Sequence, residues 1–188
     1  MQNQKHLRGV AGFSLLQLII TIAVAAALAT MAIPSFASLL SRTQVSTQTN
    51  LLAESLMLAR SHAIASQKNV HICRLNSNRK NQCTVSLSYL NDWSAGWMVF
   101  ADENTNHNFD NADRVLQVVE PGHEVSIVFN QRGRLRFFPD GRARSAGFYL
   151  CDEQREAYRH VLLLHTGRVR IHESLTPIQK QNCAKLNS

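Results

Sequence analysis

"GVAGFSLLQLIITIAVAAALATMAIP", residues 9–34, decides how this chain is read. Phe13–Ile33 is a run of 21 residues without a formal charge. As a helix it is about 31 Å long at roughly 1.5 Å per residue, enough to cross a bilayer. The run is too long for the apolar core of a cleaved secretory signal, and no small-x-small cleavage site follows it. Lys5 and Arg8 precede it, so the positive-inside tendency leaves residues 1–12 in the cytoplasm and sends the rest outward. No second such run occurs, which predicts a single crossing.

A chain of 188 residues carrying 45% hydrophobic and 18% charged residues suits one globular domain with a membrane segment attached. Its four cysteines, Cys73, Cys83, Cys151 and Cys183, form an even set in a region expected to be exported, where disulfides persist. Three pairings are possible. Cys73 and Cys83 bound a polar stretch rich in turn formers, "CRLNSNRKNQC", and are assigned to each other. Cys151–Cys183 then ties the C-terminal tail to the domain. Zinc is the rival use of four cysteines, but no CxxC spacing is present, and no metal or other cofactor is expected.

A short basic segment, then Gly12, then Phe13 opening a retained apolar helix resembles the prepilin signal of type IV pilins and type II secretion pseudopilins. "GFSLLQLIITIAV" is similar to the GFTLIELxxxxAI-type pattern of that family. The resemblance implies cleavage between Gly12 and Phe13 by a prepilin peptidase, methylation of the new amino terminus, and assembly with other pilins. It also implies residence in the bacterial inner membrane before assembly, with the head in the periplasm, and then a place in a pilus or pseudopilus at the cell surface. Pro34 falls where these pilins carry a helix-kinking proline. One position departs from the pattern. The family's fifth mature residue is usually Glu, pairing with a neighbouring subunit's amino terminus, and here it is Gln17. An amide accepts a hydrogen bond from an ammonium group but does not neutralise it, which suits a minor or tip position better than a major one.

Beyond Pro34, Leu52, Leu56, Ala59 and Ala63 recur at helical spacing, and no Gly or Pro interrupts residues 35–69. The organisation read from this is a leader (1–12), a transmembrane helix segment (13–36), an amphipathic helix half (37–69) and a β-rich head (70–188). "LLAESLMLARSHAIASQKNVHIC" (51–73) and "WSAGWMVFADENTNHNFDNADRVLQV" (93–118) resemble segments of the GspH/FimT branch of pseudopilins and minor pilins. Further short alternating runs, "VSIVFN" (125–130), "GRLRFFP" (133–139), "GFYLC" (147–151), "HVLLLH" (160–165) and "RVRIH" (168–172), read as antiparallel strands. Thr166–Gly167 is read as a tight hairpin turn. The expected fold class is α+β: a type IV pilin fold with one long N-terminal helix on antiparallel sheet.

Charge is unevenly placed. Residues 37–131 carry seven basic and eight acidic side chains, whereas residues 132–188 carry eleven basic and five acidic. In "GRVRI" the alternation of a strand puts Val169 and Ile171 on one face and Arg168 and Arg170 on the other, about 6.6 Å apart along the strand. That spacing is close to the roughly 6.8 Å between phosphates two nucleotides apart on one DNA strand. "GRAR" (141–144) repeats the device with Arg142 and Arg144, and "RGRLR" adds Arg134 and Arg136. Arginine gives always-charged, bidentate phosphate contacts. "GRVR" matches the GRxR motif with which FimT-type minor pilins bind DNA during natural transformation. The resemblance therefore implies non-specific binding of double-stranded DNA, with Arg168 and Arg170 foremost. The competing readings are a solvated basic face, arginines paired with Glu153, Glu156 and Glu173, or a pseudopilin or assembly-priming pilin that touches only other pilins.

Asp102, Asn104, Asn106, Asp110 and Asp113 occupy positions 1, 3, 5, 9 and 12 of an EF-hand-like loop. The sixth position is His107 rather than Gly and the twelfth is Asp rather than Glu, and Asn-rich turns are stable without an ion. The eight histidines do not cluster in sequence, and neither GxSxG, HExxH nor a phosphate loop is present. A non-catalytic filament subunit is expected.

Overall fold

A computed structural model describes residues 14–76, 79–84, 91–120, 122, 125–152 and 157–185. The leader and the Gly12–Phe13 bond lie outside them, as do Glu153, Arg155 and Glu156. The chain divides into two compact units, Met1–Ala37 and Ser38–Ser188, and one helix, α1 (Leu15–Ser66), contributes residues to both.

In the first unit α1 is apolar all round. Leu15, Leu18, Ile19, Ile22 and Leu28 are all exposed, and mean hydropathy reaches 2.3. Two of its polar side chains are satisfied within the helix: the Thr21 hydroxyl donates to the Leu18 carbonyl and the Thr30 hydroxyl to the Ala27 carbonyl, each at 2.8 Å. By length and composition this helix is long and apolar enough to cross a membrane.

In the second unit α1 buries a single stripe, Val45, Thr49, Leu52, Leu56, Ala59 and Ala63, at alternating spacings of four and three. The helix ends at Ser66, with Gln67 in the left-handed region at φ 55°, a common helix stop.

Ten strands follow: β1 (Val70–Asn76), β2 (Arg79–Thr84), β3 (Asn91–Asp92), β4 (Trp97–Ala101), β5 (Arg114–Val119), β6 (Val125–Phe129), β7 (Leu135–Phe137), β8 (Ala146–Asp152), β9 (Tyr158–Leu163) and β10 (Val169–His172). They form two antiparallel sheets. One runs β2-β1-β4-β5 with β7 also paired to β1, and the other runs β10-β9-β8-β6-β3. A single apolar core joins the α1 stripe to both sheets. At its centre Trp93, Phe129 and Phe148 stack with centroids 4.6–5.2 Å apart. The Trp97 indole N–H donates to Ser55 Oγ at 2.9 Å, tying sheet to helix.

The C-terminal tail that Cys183 ties to the domain carries a second helix, α2 (Pro177–Lys185). Its start is written in "TPIQ". The Thr176 hydroxyl accepts from the Gln179 N–H, the Gln179 side chain accepts from the Thr176 N–H at 2.8 Å, and Pro177 opens the first turn. Cys183 on α2 bonds Cys151 on β8, and Cys73 on β1 bonds Cys83 on β2. The first bridge pins α2 over a small cluster of Val128, Tyr149 and Leu175.

Candidate nucleic-acid interface

The β9–β10 connection is a three-residue loop rather than the two-residue turn expected at Thr166–Gly167. The Gly167 N–H donates to the Leu164 carbonyl at 2.8 Å, the Leu164 N–H donates to Arg168 at 2.9 Å, and Gly167 sits at φ 75°. This is a turn closed by a left-handed glycine, the geometry of a three-residue hairpin loop. The segment after β7 has the same construction. The Gly141 N–H donates to Phe138 at 2.8 Å, the Phe138 N–H donates to Arg142 at 2.9 Å, and Gly141 also has φ 75°. Each "GRxR" is thus a left-handed glycine that closes a loop, followed by an arginine on the outgoing strand.

The two loops pack against each other. The Ala143 N–H donates to the His165 carbonyl at 3.0 Å, and a Cβ on Gly167 would fall 2.0 Å from the Gly141 carbonyl oxygen. Beneath them lie Ile64 and Arg60 of α1, the Arg60 Nε within 3.3 Å of where a Gly141 Cβ would stand. Arg60 was missed in the sequence, although its place four residues after Leu56 puts it beside the buried stripe.

Within this pair the arginines differ. Arg168 and Arg170 are exposed, and among the described residues no acid lies within ion-pair reach of either. The nearby Glu173 approaches Arg159 instead, at 3.8 Å. Val169 packs on the core as expected, but Ile171 is 45% exposed because β10 is an edge strand. Arg142 is partly neutralised: its Nε lies 2.6 Å from Asp140 Oδ2. The Arg142 backbone N–H, and then its guanidinium, hold the Asp140 carboxyl below the usual carboxylate range. Arg144 is exposed and faces a different groove.

That groove, about 310 Å³, is lined by His71, His107, Arg134, Arg136, Phe138 and Arg144, among others. Arg134 is not free to meet a phosphate as expected. It is half-buried, its Nη1 donates to the His107 carbonyl, and its Nη2 donates to Asn108 Oδ1 at 2.9 Å. Arg136 lies over the Phe138 ring at 4.4 Å and reaches His107 Nε2 at 3.3 Å. Behind them His71 and Asp102 are fully buried, with Nε2 and Oδ2 3.3 Å apart. Burial, opposed by Asp102 and reinforced by Arg134, pushes the His71 pKa down to about 4. His71 is therefore neutral at pH 7 and its contact with Asp102 is not an ion pair. His71, Asp102 and His107 bring donor atoms within 4.8 Å of one another. A cation there would face two guanidinium groups at close range, which raises the cost of its binding.

The Asp/Asn-rich loop between β4 and β5 uses its oxygens on itself. Asp113 accepts the N–H groups of Glu103 and Asp110 at 3.0 and 2.9 Å, and Asp110 accepts from Ala112 at 2.7 Å and from the Asn104 amide at 2.9 Å. Asp102 Oδ2 accepts the His107 N–H at 3.1 Å. The Asp110–Ala112 contact is an Asx-type turn, and the other bonds tie the loop's carboxylates to its own backbone and amides. A larger groove of about 640 Å³, lined by Gln67, Phe138, Pro139, Asp140, Arg142, Ala143 and His165, shares Phe138 with the first.

Residues 48–167 match the family of the type II transport protein GspH. A comparison with curated protein sequences finds no match. Among solved structures, the type IV minor pilin FimU of Pseudomonas aeruginosa is similar in two crystal forms. Both are 15% identical, with TM-scores of 0.51 and 0.53, covering 68% and 70% of this chain and 91% and 90% of theirs. The minor pseudopilin EpsH of the Vibrio cholerae type 2 secretion system is 11% identical at a TM-score of 0.49, over 69% of this chain and 97% of its own. With a family match over well over half its length, the chain belongs to the family of the type II transport protein GspH.

Proposed function

We propose that this protein is a minor pilin of a type IV pilus that binds extracellular DNA without sequence preference, for uptake in natural transformation. In this reading a prepilin peptidase cuts after Gly12 and methylates Phe13. The apolar helix then holds the subunit in the inner membrane, head outward, until it joins other pilins. The observation that carries the DNA reading is the β9–β10 hairpin, which presents Arg168 and Arg170 to solvent with no acid in reach among the described residues. Arg142 and Arg144 follow from the adjoining loop, Arg142 more weakly because Asp140 offsets its charge. Arg134 is better understood as a tether for the Asp/Asn-rich loop.

The test is duplex binding by the full chain in detergent micelles across a salt series, with Arg168→Gln and Arg170→Gln combined. Each neutralised phosphate contributes about 0.9 to the slope of log K against log salt, so the double variant should lower it by roughly 1.8. Unrelated duplexes should lose affinity alike, because phosphate contacts carry no sequence information. An unchanged isotherm with the fold intact would remove the DNA reading. The family match to a type II transport protein favours the second reading, a secretion pseudopilin or assembly-priming pilin whose partners are other pilins.

A further inference from the structure

The DNA reading asks only for positive charge, yet the basic surface has an aromatic ring at its middle. Phe138 is 37% exposed and borders both grooves, whereas Arg136 lines only the smaller. Arg136 lies over the ring at 4.4 Å, and Phe138 also lines the larger groove of about 640 Å³ with Pro139, Arg142, His165 and Asp140, whose carboxylate is paired with Arg142. The ring's position is set by the backbone. Phe138 opens the glycine-closed loop, giving and taking a hydrogen bond at 2.9 and 2.8 Å, and Pro139 stiffens the next step. Arg144, exposed and without an acid in reach among the described residues, stands on the Arg136 side.

A duplex keeps its bases paired and stacked, so an exposed aromatic ring finds no free base face on it. An unpaired strand offers a π-face for every base, and aromatic platforms flanked by arginine are how proteins hold such strands without reading sequence. We infer that this surface takes single-stranded nucleic acid in preference to duplex. One unpaired base stacks on Phe138 from the larger groove, while Arg136 and Arg144 hold backbone phosphates beside it. This rests on the nucleic-acid reading above and adds to it a preference for single over double strands.

The experiment measures anisotropy of labelled oligothymidylate, a fully abasic strand of the same length, and a duplex of that length, at one salt concentration. It uses the full chain in detergent micelles, as wild type, Phe138→Leu, Phe138→Tyr and the Arg168→Gln/Arg170→Gln pair. Oligothymidylate should bind more tightly than either the duplex or the abasic strand. Phe138→Leu should weaken it by about 5- to 150-fold, the span of base–aromatic stacking, with duplex affinity unchanged and Phe138→Tyr restoring binding. Equal or tighter binding of the duplex by wild type overturns the inference, as does equal loss of all three ligands in a folded Phe138→Leu. If Phe138→Leu does not fold, the comparison of thymidylate with abasic strand in the wild type decides alone. Duplex binding that depends on Arg168 and Arg170 without a single-strand preference sinks only this inference. Absence of binding to every ligand sinks the nucleic-acid reading with it.

Discussion

Gly167→Ala should be among the most damaging single-atom additions to the head. The new Cβ would lie 2.0 Å from the Gly141 carbonyl oxygen and 2.9 Å from Arg60 Nε, at a backbone φ of 75°. The left-handed conformation costs a residue with a Cβ about 1–2 kcal/mol, and overpacking against a backbone that cannot swing aside costs about 1–3 kcal/mol. The expected loss is therefore about 2–5 kcal/mol. Trp93 and Trp97 are both fully buried in the head, so their fluorescence follows its unfolding in urea with the full chain in micelles. At an m-value of about 2 kcal/mol/M the midpoint should fall by roughly 1–2.5 M. The control is Gly122→Ala, whose Cβ meets nothing within 4 Å and should stay within about 0.5 kcal/mol of wild type. If Gly167→Ala unfolds at the same urea concentration as Gly122→Ala, the two loops do not pack glycine on glycine, and the common basic surface built from them is wrong.

Stability should fall as pH drops from about 6.5 towards 4. The folded His71 pKa, about 4, lies below its unfolded value, so the unfolded state binds more protons in that window. The stabilisation is present above pH 6.5 and is lost on acidification. Its size is up to about 3 kcal/mol at roughly 1.36 kcal/mol per pKa unit. His71→Gln should remove most of the slope in urea midpoints, leaving a lesser part from His160, which burial shifts in the same direction. An identical pH profile in the variant would show that His71 is not the buried neutral group described. For the leader, replacing Gly12 with a bulky residue should leave the full-length precursor in the membrane. The wild type should give an intact mass beginning at methylated Phe13, and cleavage near residue 30 would contradict the prepilin reading.

Several elements were legible from local spacing. The uncharged run from Phe13 is legible as a helix long and apolar enough to cross a bilayer, because bilayer thickness sets the length required, and α1 runs through it from Leu15. The stripe of Leu52, Leu56, Ala59 and Ala63 and the alternation of Val169 with Arg168 and Arg170 follow from helix and strand periods alone. The cysteine pairs followed from a turn-rich stretch and from what remained. The α2 capping box was present in "TPIQ" and passed over because nine mostly polar residues give no apolar period.

Which arginines stand free was decided only by the tertiary structure. Alternation says which face a side chain leaves from, not what waits there. Arg134 stands just before β7, and the loop between β4 and β5 supplies it with the His107 carbonyl and the Asn108 side-chain oxygen, contacts that its partial burial makes worth keeping. Arg136 finds Phe138, and Arg142 finds Asp140 two residues back. Nor does anything in "GRAR" or "GRVR" announce that the two belong together. Their glycines meet because β7 pairs with β1 in one sheet and β10 with β9 in the other, and α1 draws both sheets into one core. Residues 141 and 167 meet through long-range strand pairing, and no local period of the chain encodes that.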